Sequence, residues 1–234
     1  MLFRQIVMYA LLVGVMSGLV LTVVQMWQVV PIIQSAERFE SEPAAVVAQP
    51  AHDHGHSHSA HEHDAAAWAP QDGIERTAFT LLSNVLTGIG LSLVILSALM
   101  ATLKIRSDIR LDWKHGLIWG AAGFAAFYLA PSLGLPPEIP GSAAGPLEMR
   151  QLWWVSAVVF TAAGIAGAAY GRTPRRWLFL GLLAIPHLIG APQPYSEHFA
   201  GQSSAAVAEL MSLSDQFIGA TAIADIAFWL VIGL

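Results

Sequence analysis

Cysteine is absent from the 234-residue sequence. That lack excludes disulfide scaffolding, thiolate metal centres, iron–sulfur clusters and cysteine nucleophiles, so any metal must be held by nitrogen and oxygen, which tilts the choice away from copper(I). Charge is scarce as well. Only 12% of residues are charged, against about 25% in soluble domains. Basic residues number 11 against 16 acidic ones, and a net charge of −5 with a pI near 5.9 leaves no basic surface for nucleic acid. No GxxxxGK(S/T) loop is present to bind nucleotide, GxSxG and HExxH are missing, and no pair of acids sits on a recognisable catalytic scaffold. No internal repeat marks an inverted-topology transporter. On these grounds the chain is expected to be neither an enzyme nor the carrier of a prosthetic group.

What is present is apolar. Hydrophobic residues make up 55% of the chain and the mean hydropathy is +0.57, which predicts an all-α polytopic membrane protein, a single helical bundle over residues 1–234. A hydrocarbon core about 30 Å thick needs roughly 20 apolar residues per helix. Candidate spans follow in order at 6–30, 77–103, 116–133, 153–170, 177–189 and 217–234, with Trp153 and Trp154 placed as an interfacial belt. The fifth is short for a span, so a five-span bundle stands beside the six-span one. The first is too long for the 7 to 15 residue core of a typical signal peptide and is read as a membrane anchor. With the N-terminus in the cytoplasm, Arg4, Lys104, Arg106, Arg110, Lys114, Arg172, Arg175 and Arg176 all fall in cytoplasmic loops, and only Arg38, Arg76 and Arg150 lie outside.

Residues 34–72 are expected to form a flexible external loop, with Pro43, Pro50 and Pro70 and Ala-rich flanks. Six of the nine histidines lie in it, in AHDHGHSHSAHEHD: His52, His54, His56, His58, His61 and His63. Neutral imidazole, the dominant form above a pKa of roughly 6.5, offers a lone pair to cobalt, nickel or zinc. An extended strand projects the alternating four to one side, and a collapsed loop closes three or four around one ion. The plainer reading is a polar low-complexity loop without a role. A purification tag is disfavoured, because the run is internal and interrupted. Glu37, Glu40, Glu42, Asp53, Glu62, Asp64, Asp72 and Glu75 all lie with the histidines between the first two spans and would concentrate cations there.

Three further residues are candidate ligands along a path. Asp225 is the only acid deep in an expected span, where ionisable groups are expensive and functional by default, though a structural partner on another helix is an equal reading. His187 follows Pro186, which breaks the helical hydrogen-bond ladder and frees carbonyls; a satisfied structural histidine is the alternative. Glu138 stands in the proline-stiffened turn LPPEIPG, either as a first cation-binding carboxylate or as a salt-bridge partner for Arg150. Gln25, Gln28, Ser83 and Asn84 are expected to bond between helices, and the glycine series Gly88, Gly90, Gly120, Gly123, Gly164, Gly167 and Gly171 to let helices pack closely.

The opening MLFRQIV, the histidine-bearing loop, the LPPEIPG turn, the RQLWW helix start and the PHLIGAP segment, in that order, resemble the CbtA family, the larger subunit of a proposed cobalt transporter. The resemblance runs over nearly the whole chain. It implies a polytopic protein of the bacterial inner membrane, linked to cobalamin metabolism and paired with CbtB, a small single-span subunit with its own histidines. The matching positions are Glu138, Arg150, Gln151, Trp153, Trp154 and His187, and five spans are commonly predicted for the family. The resemblance implies cobalt(II) uptake. Nickel or zinc transport, or a membrane metal sensor or store without transport, are the other readings that the ligand types allow.

Overall fold

A computed structural model describes residues 2–41, 70–105 and 112–234. The histidines His52, His54, His56, His58, His61 and His63 lie outside the described residues. Regular structure among the described residues is all helical: α1 (Leu2–Val24), α2 (Val30–Ser41), α3 (Ile74–Ile105), α4 (Trp113–Phe124), α5 (Ala130–Ser132), α6 (Leu147–Tyr170), α7 (Ala184–Ile189) and α8 (Ser204–Gly233), with π turns at Gln25–Val29 and Ala125–Leu129 and a 3-10 helix at Pro174–Leu183.

Among the described residues, four helices are long and apolar enough to cross a membrane: Phe3–Glu40, Ile74–Ile105, Leu147–Tyr170 and Ser204–Gly233. Only a third or less of each apolar window is buried inside the bundle. Side chains such as Leu12, Val23, Leu86, Leu152 and Leu230 point outward instead. That surface suits lipid and not water.

The other two expected spans take different forms. Segment 116–133 runs through α4, the π turn Ala125–Leu129 and α5. Segment 177–189 is mostly the 3-10 helix, continued by α7. With Pro174 to Arg176 included, ten residues at 2.0 Å and six at 1.5 Å extend about 29 Å, close to the thickness of a hydrocarbon core. A 3-10 helix also stacks every third side chain in one column. Arg176, Phe179 and Leu182 lie three apart and meet Gly171, Gly167 and Gly164 of α6, with Leu183 closer still to Gly164.

The loop expected at 34–72 begins later than the sequence pattern suggested, because α2 carries the helix on to Ser41. Likewise Ser204–Asp215, expected as loop, is the first part of α8, whose N-terminus is capped by Ser203 Oγ accepting from Ala206 N at 3.2 Å. The 38 residues of Phe3–Glu40 measure about 57 Å at 1.5 Å each, nearly twice a hydrocarbon core. The outer ends of α2 and α8 therefore project together past the apolar zone, where Ala36, Ile139, Phe199 and Leu210 are buried between them and the turns.

Glycine sets how the helices meet. A Cβ on Gly18 would come within 2.6 Å of Val85 Cα, so α1 and α3 touch backbone to backbone, antiparallel. A Cβ on Gly120 would lie 2.5 Å from the Trp229 carbonyl, giving α4 the same approach to α8. Such contacts supply packing where water provides no hydrophobic drive.

The two ends of the bundle differ in charge. Arg4, Lys104, Lys114, Arg172, Arg175 and Arg176 sit at one end, which is tied together by the Thr102–Tyr170 hydroxyl contact (3.3 Å) and the Gly116–Gly233 approach. Lys114 and Arg176 lie over the rings of Trp113 and Trp177, 5.8 and 4.9 Å from the centroids, the arrangement of basic side chains at a membrane interface. Asp112 starts α4 there, accepting from His115 N at 3.0 Å. The backbone N–H and ring of His115 hold its carboxyl below the usual carboxylate range. The opposite end carries Glu37, Glu40, Asp72, Glu75, Glu138, Glu148, Glu197, Glu209 and Asp215.

Candidate functional site

The acidic end is built around a stiffened turn. Pro136, Pro137 and Pro140 restrict the backbone, Gly141 turns it at φ +79°, and Ile139, only 3% exposed, anchors it in the bundle. Glu138 is thereby held against the first turns of α6, where Arg150 Nη2 donates to its Oε2 at 2.6 Å. Both side chains are about three-quarters buried. Glu138 is thus supplied with a counter-ion, which is the salt-bridge alternative weighed from the sequence.

The pair stands in an open cavity of about 740 Å³ whose polar lining also includes Tyr128, Ser132 and Gln151, with Trp154 as one wall. Arg150 Nε is buried without a hydrogen-bond partner. The cavity is electrically near neutral and largely apolar, so it places few groups where a hydrated cation would seek them.

His187 does not join it. Its ring meets Trp153 edge-on, with centroids 5.6 Å apart, and Trp153 Nε1 donates to the Pro186 carbonyl at 3.0 Å. That carbonyl also accepts from Gly190 N at 3.1 Å, within the ladder of α7, so it is not one that the proline break frees. Trp153 packs on α7 and Gly134, whereas Arg150, Gln151 and Trp154 line the cavity, and His187 is not among the lining residues.

Asp225 lies on α8, half-buried, one turn beyond Thr221. Among the described residues it has no hydrogen bond or ion pair, nor do any three His, Asp or Glu residues gather closely enough to hold a metal ion. Glu138, His187 and Asp225 therefore occupy three separate positions.

Two features were not singled out from the sequence. The first is a second cavity of about 580 Å³ at the acidic end, lined by Glu197, His198, Ser214 and Asp215; the SEH triplet was its only signal. The second is a clamp, in which Arg76 on α3 bonds Glu37 on α2 (2.5 Å) and Asp72 (3.0 Å). Glu37 and Asp72 flank the segment that contains all six clustered histidines, so Arg76 ties its two ends together.

The expected polar bonding between the first two long helices is present. Asn84 Nδ2 donates to Gln25 Oε1 at 2.6 Å and to Thr22 Oγ1 at 3.0 Å. Gln25 opens the π turn Gln25–Val29, a distortion common at functional sites.

No curated protein and no solved structure matches this chain. One family does, described as "Probable cobalt transporter subunit (CbtA)", over residues 3–234. A match across nearly the entire sequence, on a bundle of long apolar helices with the LPPEIPG, RQLWW and PHLIGAP segments at its acidic end, shows that the chain belongs to the CbtA family of probable cobalt transporter subunits.

Proposed function

We propose that the chain is the membrane subunit of an importer of divalent transition metal, cobalt(II) foremost, with its acidic end in the periplasm and its basic end in the cytoplasm. The observation that carries this reading is the sorting of charge between the two ends of the bundle. Basic residues mark cytoplasmic loops, and an acidic outer face raises the local concentration of cations. The histidine-rich segment is attached at that face and clamped at its base by Arg76. Capture by imidazole there, at membrane distance, shortens the search for an entrance.

On this reading the chain crosses the inner membrane six times, with segments 116–133 and 174–189 as the two irregular crossings, and its N-terminus is cytoplasmic. It holds no prosthetic group and catalyses no reaction; metal is cargo. Its partner is a small, single-span, histidine-bearing membrane subunit of the CbtB kind. Imidazole also suits nickel and zinc, so competition among the three ions belongs in the assay.

The test is cobalt accumulation in cells expressing the chain with its partner, intact or lacking residues 51–64. Deletion should lower uptake at limiting cobalt and leave a residual rate at saturating cobalt. Absence of accumulation with the intact pair at any cobalt concentration would sink transport and favour sensing or storage.

A further inference from the structure

The outer cavity and Asp225 lie on either side of one pair of hydroxyls. Tyr128, carried by the π turn Ala125–Leu129, lines the cavity. Its hydroxyl is 3.0 Å from Thr221 Oγ1 and 3.4 Å from the Ile218 carbonyl. The Thr221 hydroxyl has the carbonyls of Phe217 and Ile218 at 2.8 and 3.1 Å. Thr221 therefore donates to its own helix at rest and receives from Tyr128.

Asp225 follows Thr221 by four residues on the same face of α8. Side chains on an α-helix tilt toward its N-terminus, so the Asp225 carboxyl is directed back toward the turn that carries Thr221. A charge on Asp225 is close enough to act on the Tyr128 hydroxyl.

Packing does not account for these hydroxyls. The α4 to α8 crossing is already closed by Gly116, Gly120 and Gly123, and a phenyl ring and a Val would fill the same apolar seam without polar atoms to satisfy. Two hydroxyls in contact, one lining an open cavity and the other a turn from an unpaired carboxylate, make a polar connection between them.

We propose that Tyr128 and Thr221 relay protons between the outer cavity and Asp225. Solvent in the cavity gives a proton to the Tyr128 oxygen, Tyr128 passes its own hydroxyl proton to Thr221 Oγ1, and Thr221 turns from its backbone acceptor and passes its own to the Asp225 carboxylate. Both hydroxyls end as they began, the carboxyl is neutral, and the solvent has lost one proton. Reversal restores the charge. The relay rests on the transport reading for its purpose, which is to let Asp225 exchange a proton for a passing cation, but not for its geometry.

The test uses the full chain with its partner subunit in liposomes. A rapid drop in outside pH is followed by time-resolved infrared detection of the protonated carboxyl band that D225N removes. Y128F and T221V should each slow the appearance of that band on the order of a hundredfold, the contribution of one positioned proton carrier, with its equilibrium titration unchanged; T221S should keep the wild-type rate. Wild-type kinetics in both Y128F and T221V would overturn the relay, as would a band absent at every pH. Cobalt influx in the same vesicles is read separately. Intact relay kinetics without influx would overturn transport and leave the relay standing.

Discussion

If Glu138 serves chiefly as the counter-ion of Arg150, removing its charge should cost stability and not metal affinity. The pair is bonded at 2.6 Å with the side chains 27% and 25% exposed, between the exposed ion pairs worth about 0.2–1 kcal/mol and the fully buried ones whose breakage costs about 3–5 kcal/mol. Interpolation places E138Q at about 1–2 kcal/mol. Arg150 Nε already lacks a partner, so loss of the carboxylate leaves a half-buried guanidinium with still less compensation. In a chain of this size that is a fall of about 3–6 °C in the melting midpoint, measurable by scanning fluorimetry of the detergent-solubilised protein. The double variant E138Q/R150Q should recover most of the loss, because neither charge is then orphaned. Cobalt uptake should keep its KM within about twofold in E138Q, as expected where no metal bond is removed. A tenfold rise in KM with an unchanged melting midpoint would refute the counter-ion role and restore Glu138 as a ligand.

Three other outcomes follow from the packing. N84L removes both donors to Thr22 and Gln25; side-chain bonds between membrane helices are worth about 0.6–1.7 kcal/mol, a loss that a thermal or denaturant series should detect, whereas N84Q should recover part of it. G14V drives a branched side chain into the backbone of α3 at Gly88 and Ile89, a backbone collision that exceeds the usual overpacking cost of about 1–3 kcal/mol; folded yield by gel filtration should collapse, while G90V, open on its outer side, should be tolerated. Asp112 is held below the usual carboxylate range by His115; its contribution is therefore complete above about pH 4, the unfolded value, and is lost as pH falls through the lowered folded value. D112A should consequently narrow the gap to wild type in acid melts, and a gap that widens on acidification would contradict that sign.

What the sequence discloses about this fold is what lipid demands of it. Apolar runs, small residues at helix contacts and basic loops are written in composition, so the four long helices, the Gly88 and Gly120 approaches and the polarity of the ends were legible. The Asn84 to Gln25 seam was too, because an amide in hydrocarbon must find a partner on another helix. The full extent of α2 and α8 was not. Hydropathy marks only where a helix meets lipid, and Val30–Ser41 and Ser204–Asp215 leave that zone while staying helical on the strength of Ala36 and Leu210 packing between them. Nor was the 3-10 helix, which packs on the glycines of α6 and carries no local signal of its three-residue turn. At the site, the Glu138 and Arg150 partnership was one of two readings that twelve residues of separation left open. The Tyr128 and Thr221 contact spans 93 positions and has no local signature at all.

The word subunit in the family's description has a physical counterpart in this bundle. A divalent ion leaving water gives up several oxygen ligands, and even a single charged side chain at the centre of a bilayer costs about 2.5–3.5 kcal/mol or more. Among the described residues, the deep part of the bundle offers one unpaired carboxylate, Asp225, with the hydroxyls of Tyr128 and Thr221 beside it. Both carboxylate oxygens counted, that is four oxygens and no nitrogen, with a single negative charge to set against a divalent ion. The clustered imidazoles belong to the segment whose flanks Arg76 ties together, and further nitrogen ligands would come from a second chain. Passage then requires either that this segment reach inward past Glu37 and Asp72 or that a partner bring nitrogen ligands to the level of Asp225. The Arg76 clamp, which holds both flanks of the segment at the acidic end of the bundle, favours the partner.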